Sequence, residues 1–260
     1  MGSTFDQIKV VEHHDGQMAE VILARPPANI LTAAMMAEIG RAVNELARTP
    51  SRKCIVIAGE GSHFSYGASV EEHQPGVVND MLPAFHRMIG LLVSCDVPLV
   101  AKVRGLCLGG GFELALACGA IFAEEGAKFA VPEIQLGVFP PVAAALLPAI
   151  CGATVAAEIV STGEKFAASA LKEARIVNRV CAPEALDAAV SEFVTRHYLP
   201  RSASSLRIAT RATRGELSEI YQRRIGVLEP LYLKDLMRTN DACEGIAAFV
   251  EKRKPTWKNS

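Results

Sequence analysis

Short apolar runs alternate with amphipathic helical segments along this chain to about residue 182, and from Pro183 onward only helical patterns remain. That change of rhythm constrains the fold more than any single residue. Alternating strands and helices need crossover connections, which build an α/β layer with helices packed on a sheet. A purely helical tail must bury its apolar stripes on that layer or against a neighbouring subunit. The chain therefore divides into an α/β core over residues 1–182 and a helical C-terminal subdomain over 183–260, with no low-complexity linker between them.

Residues 7–13 and 19–24 read as strands joined through Asp15-Gly16, and Arg25-Pro26-Pro27-Ala28-Asn29 ends the pairing. Thr32 is placed to cap a helix to about Ala47, with Met36, Ile39, Val43 and Leu46 on its apolar face. Cys54–Ala58 and Pro98–Val103 read as buried strands, and residues 80–94 as a helix with Pro83 in its first turn. A helix over Gly111–Cys118 puts Gly109-Gly110-Gly111 at its N-terminus, where free N–H groups favour negative charge. The tail divides into helical patterns at 183–197, 203–214, 216–238 and 240–252.

Composition excludes several functions. With 27 basic and 28 acidic residues in 260, the net charge of −1 leaves no basic stripe for nucleic acid. No apolar run is long enough to span a bilayer. Met1-Gly2 is followed by Asp6 where an acylation motif needs Ser or Thr, and no secretory pattern is present. The seven cysteines form no CxxC pair and lie mostly in apolar segments, as buried thiols do in a reducing cytoplasm. His13 and His14 are adjacent and point to opposite faces of a strand, so no metal site is expected.

Two carboxylates stand out in apolar surroundings: Glu113 in Gly109-Gly-Gly-Phe-Glu113-Leu, and Glu133 in Phe129-Ala-Val-Pro-Glu133-Ile-Gln-Leu-Gly137. A carboxylate in such a setting is paired, shifted in pKa or chemically employed. Two sharing one volume divide into acid and base, because repulsion and desolvation separate their pKa values. Taken singly, Glu113 also fits a helix N-terminal carboxylate and Glu133 a solvated turn residue. Tyr66, His63 and His73 fit packing or surface roles, and Glu251-Lys-Arg-Lys254 fits a solvated helix end or, less simply, a partner for phosphate groups.

Phe64-Ser-Tyr-Gly-Ala68, Gly105-Leu-Cys-Leu-Gly-Gly-Gly-Phe-Glu113 and Pro132-Glu-Ile-Gln-Leu-Gly137 occur in this order. They are followed by Ser161-Thr-Gly163, by Ala170–Val180 and by Glu244-Gly245 with Phe249-Val-Glu-Lys-Arg-Lys-Pro255. Together they make the chain resemble the crotonase (enoyl-CoA hydratase/isomerase) superfamily over nearly its whole length. The resemblance implies a spiral of ββα repeats, a homotrimer or dimer of trimers, a C-terminal region used in trimerisation and active-site cover, and an acyl-CoA thioester substrate. It implies no cofactor beyond the coenzyme A of the substrate. It places an oxyanion hole on the backbone N–H groups of Ala68 and Gly110, and the catalytic acid and base on Glu113 and Glu133. Arg25, Ala28, Ser65, Tyr66, Ser69, Val70, Gly109, Phe139 and Pro140 fall at its CoA- and substrate-binding positions.

Two departures narrow the resemblance. Ser69 stands where the family usually has Asp, and Val138-Phe-Pro-Pro-Val142 replaces a glycine-rich turn. With Ala28-Asn29-Ile30 and Tyr232, these features are similar to the branch that hydrates cyclohexa-1,5-diene-1-carbonyl-CoA to 6-hydroxycyclohex-1-ene-1-carbonyl-CoA in anaerobic aromatic degradation. A straight-chain enoyl-CoA hydratase or isomerase is the nearest alternative. A non-catalytic CoA- or RNA-binding relative would tend to lose a glutamate or carry a lysine-rich helix; here both glutamates are kept and the longest basic run is Lys252-Arg253-Lys254.

Overall fold

The computed structural model describes residues 4–74 and 76–260, so the Met1-Gly2 pair lies outside the described residues. Its elements are β1 (Ile8–His13), β2 (Met18–Leu23), α1 (Ala33–Ala47), β3 (Cys54–Gly59), α2 (Val78–Val93), β4 (Leu99–Val103), β5 (Leu106–Leu108), α3 (Gly110–Leu116), β6 (Ala120–Glu124) and β7 (Lys128–Ala130). There follow α4 (Pro141–Cys151), α5 (Ala153–Thr162), β8 (Phe166–Ala167), α6 (Ala168–Glu173), β9 (Arg179–Cys181), α7 (Leu186–His197), α8 (Ala203–Pro230) and α9 (Asn240–Val250).

The larger sheet runs β1-β2-β3-β4-β6-β9, with only the β1–β2 hairpin antiparallel. The smaller sheet runs β5-β7-β8, with β5 and β7 parallel. Each of β4 and β6 is thus followed by a strand of the small sheet and then by a helix. β4–β5–α3 and β6–β7–α4 are successive turns of a ββα spiral, the architecture that the family resemblance implied. The central strands are covered on both faces, which is why Cys54–Ala58 is apolar throughout and fully buried.

Local chemistry and packing place the helices that flank the site. Thr32 Oγ1 accepts from the Met35 N–H at 3.3 Å and starts α1, whose Met36, Ile39, Val43 and Leu46 are buried as their spacing predicts. Pro83 lies within α2, whose buried face includes Met81, Leu82, Phe85 and Ile89. Phe112 of α3 meets Phe129 of β7 edge to face with centroids 5.1 Å apart, which fixes the short helix on the small sheet.

The helical tail differs from its sequence pattern. The expected helices at 203–214 and 216–238 are joined in α8, which passes through Gly215 without a break. A Cβ at Gly215 would meet nothing within 4 Å, so this glycine marks no close approach of chains. The propensity cost of about 1 kcal/mol does not stop a helix packed along α2 and α4. Beyond Pro230 the chain continues as a π-helical turn, Leu231–Asp235, and a 3-10 turn, Leu236–Arg238. No described helix is long and apolar enough to cross a membrane.

Candidate active site

Two loops meet over the small sheet. The first, residues 64–69, is held by the segment that follows β2. Asn29 is fully buried; its amide donates to the carbonyls of Glu60 and His63, and its Oδ1 accepts from the Arg25 N–H. Ser65 Oγ donates to the Asn29 carbonyl at 2.8 Å and accepts from the Gly67 N–H at 3.0 Å. The Tyr66 N–H donates to the Ala28 carbonyl. Next, Leu31 N–H donates to Gly67 and Ser69 N–H donates to Leu31, a parallel bridge centred on Ala68. In that bridge the neighbours of Ala68 make the bonds, so its own N–H faces the other way.

The second loop is the glycine run. Gly109 has φ 49° and ψ −128°, open to glycine alone, and its N–H donates to the Ala130 carbonyl of β7. Gly110 opens α3, where an N–H has no acceptor within the helix. A Cβ on Gly110 would stand 3.1 Å from the Ala68 nitrogen, so the two backbones touch. Two free N–H groups side by side form a site that can receive one oxygen carrying developing negative charge.

Glu113 and Glu133 face the same cavity, which is also lined by Ala68, Gly109 and Gly110. Glu113, 3 % exposed, accepts from the Ala143 N–H at 2.9 Å, with Val142 N–H adding to the stabilisation. These N–H groups open α4, so Glu113 satisfies a helix N-terminus other than its own. Burial nevertheless raises its pKa to about 7. Glu133 sits in a 3-10 turn, Pro132–Leu136, and its Oε2 is sealed from solvent without a hydrogen-bond partner. Burial, and then the charge of Glu113, hold the Glu133 carboxyl well above the usual range. The helix N-terminus favours the ionised form of Glu113, leaving the shared proton on Glu133. The pair is therefore built to be half-protonated near neutral pH.

Of the residues singled out from sequence, Tyr66, Ala68, Val70, Gly109, Gly110, Glu113, Glu133, Phe139 and Pro140 line this one cavity. Four others stand outside its lining. Ala28 and Ser65 brace the first loop through the bonds above. Ser69 Oγ donates to Glu71 at 2.8 Å, and exposed Arg25 donates to Gln7. His63 braces the loop by accepting from the Leu106 N–H, whereas His73 reaches the cavity, its Nδ1 2.7 Å from the Ser69 carbonyl oxygen. Arg253 is engaged by Glu244 and Glu251. All seven cysteines are free. Among the described residues no cluster of His, Cys, Asp or Glu could hold a metal.

Sequence reasoning did not assign Phe85, Leu136, Tyr232 and Ile246 to the cavity. The last two come from the helical tail, and only tertiary packing brings them to a site built by residues 66–141. Tyr232 was singled out within the resemblance, but no local pattern could show that it turns inward.

Residues 13–260 match the family model described as "Enoyl-CoA hydratase/isomerase". The chain is 38 % identical over 259 residues to a protein named cyclohexa-1,5-dienecarbonyl-CoA hydratase from Thauera aromatica, covering 100 % of both chains. It is 33 % identical to a carnitinyl-CoA dehydratase from Shigella flexneri, over 94 % of this chain and 96 % of that one. Among solved structures, an enoyl-CoA hydratase/isomerase from Xanthobacter autotrophicus Py2 superposes with a TM-score of 0.83 at 30 % identity, covering 95 % of this chain and 93 % of that one. A match this long, on a spiral of ββα repeats, establishes that the chain belongs to the enoyl-CoA hydratase/isomerase (crotonase) family and is an enzyme, a lyase of the hydratase type.

Proposed function

We propose that this enzyme adds water to a conjugated alicyclic dienoyl-CoA thioester, converting cyclohexa-1,5-diene-1-carbonyl-CoA to 6-hydroxycyclohex-1-ene-1-carbonyl-CoA. The observation that carries the reading is the pair Glu113 and Glu133, both raised by burial and Glu133 also by the charge of Glu113, beside the free N–H groups of Ala68 and Gly110. The 38 % identity to a relative bearing that activity in its name supports the choice of ring.

The thioester oxygen is received by the N–H groups of Ala68 and Gly110, each such donor lowering the barrier by about 3 kcal/mol. Ionised Glu113 takes a proton from water as the oxygen bonds to the ring carbon β to the carbonyl. The electron pair displaced from the double bond flows to the thioester oxygen, giving a dienolate. Protonated Glu133 then delivers its proton to the far end of that dienolate, across the ring from the new hydroxyl. The remaining double bond again lies beside the carbonyl. Glu113 ends protonated and Glu133 ionised, so the pair exchanges the proton before the next turnover.

Tyr66, Phe139, Pro140 and Pro141 wall the cavity with aromatic and stiff residues, suited to a short, broad acyl group. The test is kcat/KM for the cyclic dienoyl-CoA against crotonyl-CoA. A preference of about tenfold or more for the ring is expected, since one misfitted group in an apolar pocket is worth about 1–3 kcal/mol. Equal or higher efficiency with crotonyl-CoA would overturn the alicyclic assignment and leave a straight-chain hydratase.

A further inference from the structure

The π-helical turn after α8 is an uncommon element, and single π turns often occur where a helix serves a site. Within it Leu231 is 43 % exposed while the next residue, Tyr232, is 1 % exposed and lines the cavity of Glu113 and Glu133. Phe139 meets the Tyr232 ring at 5.5 Å in an edge-to-face contact, which fixes where the phenol points.

The Tyr232 hydroxyl is sealed from solvent and has no hydrogen-bond partner. A buried tyrosine hydroxyl normally finds one, because leaving it unmade costs free energy. Among the described residues, the buried side-chain atoms without a partner are Tyr232 Oη, Glu133 Oε2 and nitrogens of Arg52, His86 and Arg214, and the two oxygens alone belong to residues of this cavity. They are not bonded to each other. The packing thus forgoes satisfaction at two polar atoms in the one place where a polar substrate atom arrives. Burial and the charges of Glu133 and Glu113 hold the phenol far above its ordinary pKa, so it stays protonated and can donate.

The two carboxyls can take a proton from water and give one to carbon. Neither, once ionised, can donate a hydrogen bond to the oxygen itself. We propose that Tyr232 is a further catalytic residue, whose hydroxyl donates a hydrogen bond to the oxygen that is added to, or removed from, the acyl group. Accepting from Tyr232 orients the water, leaving one lone pair for the β carbon and its O–H for Glu113. In the reverse direction the same bond stabilises the departing hydroxyl. No covalent change occurs at the phenol. The inference rests on the hydratase reading but not on the ring.

Tyr232→Phe keeps the ring and its contact with Phe139 and removes only the hydroxyl; thermal unfolding verifies that the variant is folded. Binding would be measured by calorimetry for two matched pairs: 3-hydroxybutanoyl-CoA against butanoyl-CoA, and 6-hydroxycyclohex-1-ene-1-carbonyl-CoA against cyclohex-1-ene-1-carbonyl-CoA. The variant is expected to lose about tenfold in affinity for the hydroxylated member of whichever pair the wild type prefers, and nothing for its partner. Hydration turnover is expected to fall about tenfold or more, with little change in KM. Equal losses for both members, or no loss in either, would overturn the role of Tyr232. A wild-type preference for crotonyl-CoA with a hydroxyl-selective loss in the variant would instead sink the ring assignment and leave Tyr232 in place.

Discussion

Glu133 Oε1 lies 2.7 Å from the point where a Cβ on Gly109 would stand, so the carboxyl and the glycine are fitted to each other's outline. The Gly109 backbone also adopts φ 49° and ψ −128°, which a side chain strains. Gly109→Ala is therefore expected to displace Glu133 and lower turnover by about a hundredfold, as the loss of a placed general acid does. Steady-state kinetics check it, together with a stability loss of about 1–3 kcal/mol in urea unfolding. An alanine variant with wild-type turnover would show that Glu133 need not rest on this loop.

Hydration should follow a bell-shaped pH profile. Its rising limb is expected near pH 7, where Glu113 ionises, and its fall at higher pH, as Glu133 gives up its proton. Glu113→Gln and Glu133→Gln should each reduce turnover about 10²–10⁴-fold with thioester affinity nearly kept. The glutamine at 113 should also erase the rising limb. Retention of more than about a tenth of the turnover in either variant would remove that residue from the acid–base pair.

Stability should respond to Glu113 in the opposite sense to an ordinary surface carboxylate. Its folded pKa of about 7 lies above the unfolded value of 4.5, so between these the folded state holds more protons. Stability from this group is then greatest below pH 4.5 and declines as pH rises to about 7. Glu113→Gln keeps an acceptor for the Ala143 N–H and removes the buried charge. The variant is expected to be more stable than wild type at pH 8 by up to about 3 kcal/mol, and the difference should shrink toward pH 5. Thermal unfolding across this range would refute the idea if the gap were constant or reversed.

Asn29 has φ 45°, in the left-handed region that asparagine tolerates better than alanine. Its side chain joins three backbone groups, at Arg25, Glu60 and His63. Asn29→Ala should cost about 2–4 kcal/mol in denaturant unfolding, because buried carbonyls lose their donors. It should also weaken catalysis, since the loop that carries the Ala68 N–H hangs from this residue. A variant with wild-type stability would mean that water replaces the amide at no cost.

The α/β core was legible wherever one principle acted alone: the Thr32 cap, the apolar face of α1, and the run of Cys54–Ala58. The positions of Glu113 and Glu133 were legible because a carboxylate in an apolar motif is a local anomaly. The two- and three-residue strands β5, β7, β8 and β9 were not, because so short a run carries no periodicity. Gly215 looked like a boundary since propensity is read locally, whereas α8 is held by neighbours far away in sequence. Tyr232 faces the cavity from within a π turn, which has no residue signature, and its meaning depends on an unpaired oxygen that only packing reveals.

β5 and β7 are hydrogen-bonded parallel neighbours, and the chain leaving each carries one glutamate: Glu113 after β5, Glu133 after β7. The spacing of the acid and base is thus inherited from the strand ladder, about 4.8 Å per step, with the Gly109–Ala130 bond as its last rung. Part of the acyl wall comes from elsewhere: Tyr232 and Ile246 arrive with the helical tail. The two carboxyls are thus set by one ladder, whereas the cavity around them closes only with the tail folded over it. Exchange of the tail would leave the two carboxyls on their ladder while replacing Tyr232 and Ile246, and so would alter both the acyl wall and the hydroxyl offered to the added oxygen.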